Sequence, residues 1–154
     1  MYLLGLFYKT EKSNSLLSFA YSLFKDEIYK QTNNYFTPVQ NSIYSEIENN
    51  NNYSFSAPTS TGKSFLFREL LKKYKNDVVI VVPSRALIAE YIAVLRNTFK
   101  EDKSILILSF VENINILKTS RRIFVLTPER LPELYKNKYS FKVDLFLFDE
   151  AQIA

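Results

Sequence analysis

The run Ala57-Pro58-Thr59-Ser60-Thr61-Gly62-Lys63-Ser64 combines a glycine, a lysine and several hydroxyl side chains at a spacing suited to holding phosphate. A diphosphate needs several donors aimed at one spot and a backbone able to approach it closely. Successive N–H groups of a short loop supply the donors, and the amino end of a following helix adds a favourable dipole. Gly62 permits the tight backbone; the only other glycine in the chain is Gly5. Pro58, Thr59, Ser60 and Thr61 would form the cradle. Lys63 would reach the β- and γ-phosphates of a nucleoside triphosphate, and the Ser64 hydroxyl would ligate Mg2+. The strict form of this pattern begins with glycine, whereas Ala57 stands at that position here.

A second constellation lies downstream, where the largely apolar run Val143–Phe148 ends in Asp149-Glu150. Carboxylates at the exit of a buried strand are costly unless they have partners or a task. Triphosphate hydrolysis offers two tasks. One carboxylate holds Mg2+, directly or through water. The other orients and deprotonates the attacking water. Asp149 is assigned to the metal and Glu150 to the base. Glu150 and Lys63 are therefore the catalytic candidates.

Composition narrows the field. The 154 residues allow one domain of ordinary size, and 47% hydrophobic content allows a real core. With no Cys and no His, the chain has no disulfides, zinc sites, Cys or Ser-His nucleophiles or imidazole acid/base chemistry. The net charge of +4 fits a polyanionic partner without requiring one. The early apolar run Tyr2–Tyr8 is too short to span a bilayer, and no cleavage-site pattern follows it. The cytoplasm is the expected compartment, with no membrane partner.

The elements that must position these residues follow from periodicity. Ser13–Lys30 reads as a helix whose apolar face includes Leu16, Leu17, Phe19, Ala20, Leu23, Phe24 and Ile28. Asn33-Asn34 and Asn49–Asn52 mark solvated turns. Between them, Thr37–Glu48 repeats Val39, Ile43, Tyr44 and Ile47 at helical spacing, with Thr37 as N-cap and Pro38 in the first turn. After Asn52 short apolar runs alternate with amphipathic segments. The runs are Tyr53–Ala57, Val78–Val82, Ile105–Leu108, Ile123–Leu126 and Val143–Phe148. Helices are expected at Ser64–Tyr74, at Arg85–Phe99 and from near Pro128 to near Tyr135. Continuous apolar runs predict strands buried on both faces, and the alternation predicts a parallel α/β sheet. Function then gathers at the carboxyl ends of the strands.

With these motifs placed, the chain resembles the first motor domain of a superfamily-two helicase of the DEAD/DEAH-box group, and particularly its Ski-like branch. The resemblance runs from about Tyr35 to the C-terminus. Phe36-Thr37-Pro38-Val39-Gln40 resembles the Q-motif, Ala57–Ser64 motif I, and Val82-Pro83-Ser84-Arg85-Ala86-Leu87 motif Ia. Leu126-Thr127-Pro128-Glu129-Arg130 resembles motif Ib and Asp149-Glu150-Ala151-Gln152 motif II. Alanine at the first position of motif I is common in that group. Gln152 departs from the Asp or His of the strict labels and bears on coupling between nucleotide and nucleic acid.

The resemblance implies a RecA-like P-loop NTPase fold, a parallel sheet flanked by helices, over residues 35–154. Residues 1–34 would form an N-terminal helical extension. It implies ATP and Mg2+ as cofactors, with Gln40 reading adenine. It also implies DNA or RNA as partner, bound through Pro83, Ser84, Arg85, Thr127, Pro128 and Arg130. The physical case for those contacts is that both segments follow strands and open helices, where free N–H groups can take phosphate. Glu129 would serve helix capping or charge balance. In the family a motif III strand and a second motor domain follow motif II. The sequence given stops at Ala154, so the sheet is expected to be incomplete at its C-terminal side. The expectation is a piece or a truncation of a longer polypeptide, which by itself unwinds nothing and hydrolyses ATP poorly at best, with partner subunits of a larger complex as further candidate partners. Two other readings stay open: a duplex translocase or restriction-type motor without strand separation, and a non-hydrolysing nucleotide-binding or partner-binding module.

Overall fold

The computed structural model describes residues 16–49, 53–54, 62–111, 121–136 and 142–149. The chain divides into two compact units, residues 1–67 and 68–154, with the boundary inside one helix.

The first unit carries α1 (Leu16–Thr32), α2 (Pro38–Asn49) and the start of α3 (Lys63–Lys73). Asn33 ends α1 in the left-handed region at φ 55°, and its N–H donates to Tyr29 O at 2.7 Å. Asparagine is one of the few non-glycine residues that tolerate this cap. Most of the described residues on the predicted apolar face of α1 stay uncovered. Leu16, Phe19, Leu23 and Phe24 are exposed, and Ile28 is buried. Helical periodicity fixes which residues share a face but not whether anything covers it. Tyr29 stacks on Tyr35, with ring centroids 4.5 Å apart.

The second unit is a four-stranded parallel sheet in the order β2-β3-β1-β4, with β1 Asp77–Val81, β2 Ile105–Leu108, β3 Arg121–Leu126 and β4 Val143–Phe148. Helix α4 (Arg85–Thr98) connects β1 to β2. A 3-10 turn (Pro128–Arg130) and α5 (Leu131–Lys136) follow β3. The expected α/β architecture is present, and the strand positions agree with the apolar runs to within two residues. Val79, Val81, Phe124 and Leu126 form a core with Leu108, Val111 and Leu134.

Burial on both faces holds for β1 and for the carboxyl-terminal part of β3. It fails for β4, where Asp144, Phe146 and Phe148 are exposed in alternation. Among the described residues β4 is a sheet edge, so side chains on one of its faces meet solvent. The expected strand Tyr53–Ala57 falls largely outside the described residues; Tyr53 and Ser54 carry no strand structure. Among the described residues no helix is long and apolar enough to cross a membrane.

The opposite, amino end of the sheet is pinned by two arginines. Arg122 makes a two-pronged ion pair with Asp77, Nε to Oδ1 at 3.1 Å and Nη2 to Oδ2 at 2.6 Å, and its backbone N–H also donates to Oδ1 at 2.9 Å. Arg121 donates to Leu71 O at 2.5 Å and Asn76 O at 3.1 Å. Burial holds its guanidinium below the usual arginine range, with Asp102, Asp144 and Asp77 acting the other way.

Candidate functional site

In the first unit, Thr37 and Gln40 form a reciprocal cap on α2. The Gln40 N–H donates to Thr37 Oγ1 at 3.2 Å, and the Thr37 N–H donates to Gln40 Oε1 at 3.0 Å. This Thr-x-x-Gln spacing satisfies two amides that a helix start leaves open. The Gln40 side chain is buried, and its Nε2 donates to Gly62 O at 3.3 Å. Phe36, fully buried beside this cap, packs its ring against Tyr44 and edge-on against Phe65 at 5.6 Å.

Gly62 is the residue before α3. It sits at φ 77°, and a Cβ there would lie 2.6 Å from Gln40 Nε2. Its carbonyl accepts from Phe65 N at 3.0 Å and Leu66 N at 3.1 Å, which starts the helix. Lys63 and Ser64 are the first two residues of α3; Lys63 is half-buried and Ser64 exposed. They occupy the turn where backbone amides and the helix dipole favour an anion. Pro58, Thr59, Ser60 and Thr61 lie outside the described residues.

In the second unit, three strand ends are level. Val81 pairs with Leu126 on one side and Phe148 on the other. Two further bonds extend these ladders, Val82 N to Leu126 O at 2.9 Å and Asp149 N to Val81 O at 3.0 Å. The segments beginning at Pro83, Thr127 and Asp149 therefore leave one end of the sheet together. Ser84 caps α4 from extended backbone, its Oγ accepting from Leu87 N at 3.4 Å. Pro83 and Arg85 are exposed, as is Pro128, which opens the 3-10 turn behind the buried Thr127. Arg130 is half-buried and donates from Nη1 to Ser109 O at 2.8 Å, so it also anchors the segment after β2. The Thr127 hydroxyl holds exposed Glu129 below the usual carboxylate range; its own amide and the charge of Arg85 act the same way, against a small desolvation effect.

Asp149 is half-buried, and its Oδ2 accepts a hydrogen bond from the Tyr91 hydroxyl of α4. Sequence reasoning missed Tyr91. The available signal was a phenol on the inward side of a helix, where a buried tyrosine hydroxyl usually finds a partner. Glu150 lies outside the described residues. Among the described residues no three His, Cys, Asp or Glu side chains converge. Among the candidate residues, the first unit offers the Ser64 hydroxyl and the second the Asp149 carboxylate as hard oxygen donors. Donors of this kind suit Mg2+, which keeps several waters and takes one or two carboxylates beside substrate phosphates.

In the first unit α3 thus starts at Lys63; in the second, α4 starts at Arg85, the 3-10 turn at Pro128, and the Asp149 carboxylate is held by Tyr91. A comparison with curated proteins gave no match. The family model for DEAD/DEAH box helicases matches residues 37–153, which is most of the chain. The chain belongs to the DEAD/DEAH box helicase family.

Proposed function

We propose that this chain binds Mg-ATP and contributes to an ATP-driven nucleic-acid motor, of the Ski-like kind its motif sequences resemble. The observation that carries the reading is the level register of Val81, Leu126 and Phe148 in a chain whose family match covers residues 37–153. It sets the starts of the motif Ia, Ib and II segments at one sheet end.

In this reading Lys63 and the first-turn amides of α3 hold the β- and γ-phosphates, with Pro58, Thr59, Ser60, Thr61 and Gly62 forming the loop before them. Ser64 and Asp149 hold Mg2+, which when bound neutralises charge on the phosphates. Glu150 accepts the proton of the attacking water. Gln40 contacts adenine, sharing an amide that also braces Thr37 and Gly62. Pro83, Ser84, Arg85, Thr127, Pro128 and Arg130 contact the DNA or RNA backbone. Such contacts fix orientation and carry no base readout.

The test is nucleotide binding by Lys63→Ala. The variant is expected to lose ATP binding while keeping its far-UV spectrum and thermal midpoint, because Lys63 opens the helix and takes no part in the core. Unchanged ATP affinity would sink the assignment. Glu150→Gln is expected to keep ATP but not turn it over in a preparation that hydrolyses ATP. A strand-displacement assay then separates a helicase from a duplex translocase.

A further inference from the structure

Asp149 is held at two points. Its N–H continues the β4–β1 ladder to Val81 O at 3.0 Å. Its carboxylate accepts from the Tyr91 hydroxyl, 58 residues away in sequence. The first contact fixes the backbone only. The terminal torsion of an aspartate is broad, so the ladder does not decide which oxygen faces which way. The phenol does decide it, because Tyr91 engages Oδ2 from a helix whose own start is fixed by the Ser84 cap. A monodentate contact to a hard cation needs only the other oxygen.

We propose that Tyr91 is a positioning residue for Asp149: its hydroxyl fixes the carboxylate so that Oδ1 is presented to the divalent cation that accompanies the nucleotide. The proposal rests on the reading of Asp149 as a metal-holding residue. It assigns no chemistry to Tyr91 itself. Partners that orient a metal-binding side chain govern the ion's affinity without touching it.

The discriminating variant is Tyr91→Phe, which keeps the ring and removes only the donor. Binding of a fluorescent ATP analogue to this chain is measured in EDTA and across a Mg2+ titration, for the parent, Tyr91→Phe, Asp149→Asn and the double variant. Tyr91→Phe is expected to leave affinity in EDTA within about twofold of the parent and to raise the Mg2+ midpoint by about tenfold. Asp149→Asn is expected to flatten the Mg2+ response, and Tyr91→Phe to add nothing in that background. Equal thermal midpoints of parent and Tyr91→Phe show that the fold is retained. An unchanged Mg2+ midpoint in Tyr91→Phe overturns the proposal, as does a shift that persists beside Asp149→Asn. A parent that binds no analogue overturns the nucleotide reading itself, and the positioning role with it. A parent that binds normally beside an unshifted Tyr91→Phe overturns the positioning role alone.

Discussion

The Gln40 side chain donates to the carbonyl of Gly62, the residue that starts α3, across 22 positions of sequence. The same amide accepts from the Thr37 backbone, so one buried glutamine closes the first turn of α2 and braces the start of α3. The resemblance assigns Gln40 to adenine; the structure adds a mechanical duty at the start of α3.

Gly62→Ala is expected to destabilise the chain on two counts. At φ 77° a side chain is strained, by about 1–2 kcal/mol. The new Cβ would also lie 2.6 Å from Gln40 Nε2 and displace it. Combined with Gln40→Ala the two losses should be less than additive, since the second change removes the atom that is struck. Urea unfolding of both single variants and the double variant reads this directly. Strict additivity would mean that the brace is not energetically coupled.

The acid limb of stability should depend on Asn76. Its Nδ2 donates to Asp144 Oδ1 at 2.9 Å and its backbone N–H to Oδ2 at 3.1 Å, tying the loop after α3 to β4. The Asn76 side chain is the main cause holding Asp144 below its ordinary value of 3.8; desolvation opposes it, and the Asn76 backbone and the charges of Lys142 and Arg121 add smaller lowering effects. A carboxylate with a lowered folded-state pKa stabilises the fold in its ionised form. That contribution is complete above the unfolded value and fades as pH falls through the lower folded one. Asn76→Ala should therefore weaken the protein at neutral pH and converge with the parent below the folded value. The effect is expected to be small, because Asp144 faces solvent and salt screens it. Urea midpoints from about pH 7 to about pH 2 test it. A deficit that stays constant across that range would place the loss elsewhere.

The four strands in the second unit were legible because runs such as Val78–Val82 and Ile123–Leu126 are dense in β-branched and aromatic residues. The amino ends of β1 and β3 were not. Arg121 and Arg122 do not read as strand, and their place in β3 follows from Asp77 and two carbonyls that tertiary structure brings to them. Thr37 was legible as a cap from its place before Pro38, but the reach of Gln40 to Gly62 depends on a fold that local pattern does not encode. The same holds for Tyr91 and Asp149, which share no segment. For α1 the periodicity gave the helix and not the fate of its face. Leu16 and Phe24 remain exposed while Ile28 is buried, a difference set by what packs on the helix.

The Asp77–Arg122 pair should separate stability from function. Asp77 and Arg122 side chains are 6% and 14% exposed, at the sheet end opposite Pro83, Thr127 and Asp149. Removing one partner leaves a buried charge uncompensated, so Arg122→Ala is expected to cost about 3 kcal/mol. Arg122→Lys should recover little of it, because a single ammonium cannot reproduce the two-pronged contact to Oδ1 and Oδ2. Asp77→Leu with Arg122→Met should lose less than Arg122→Ala, since it removes both charges together and leaves only the Arg122 N–H without its acceptor. Denaturant unfolding ranks the three. Under conditions where all remain folded, ATP affinity should match the parent, because the pair sits at the amino ends of β1 and β3. An altered affinity in a variant of unaltered stability would contradict the division of labour between the two ends of the sheet.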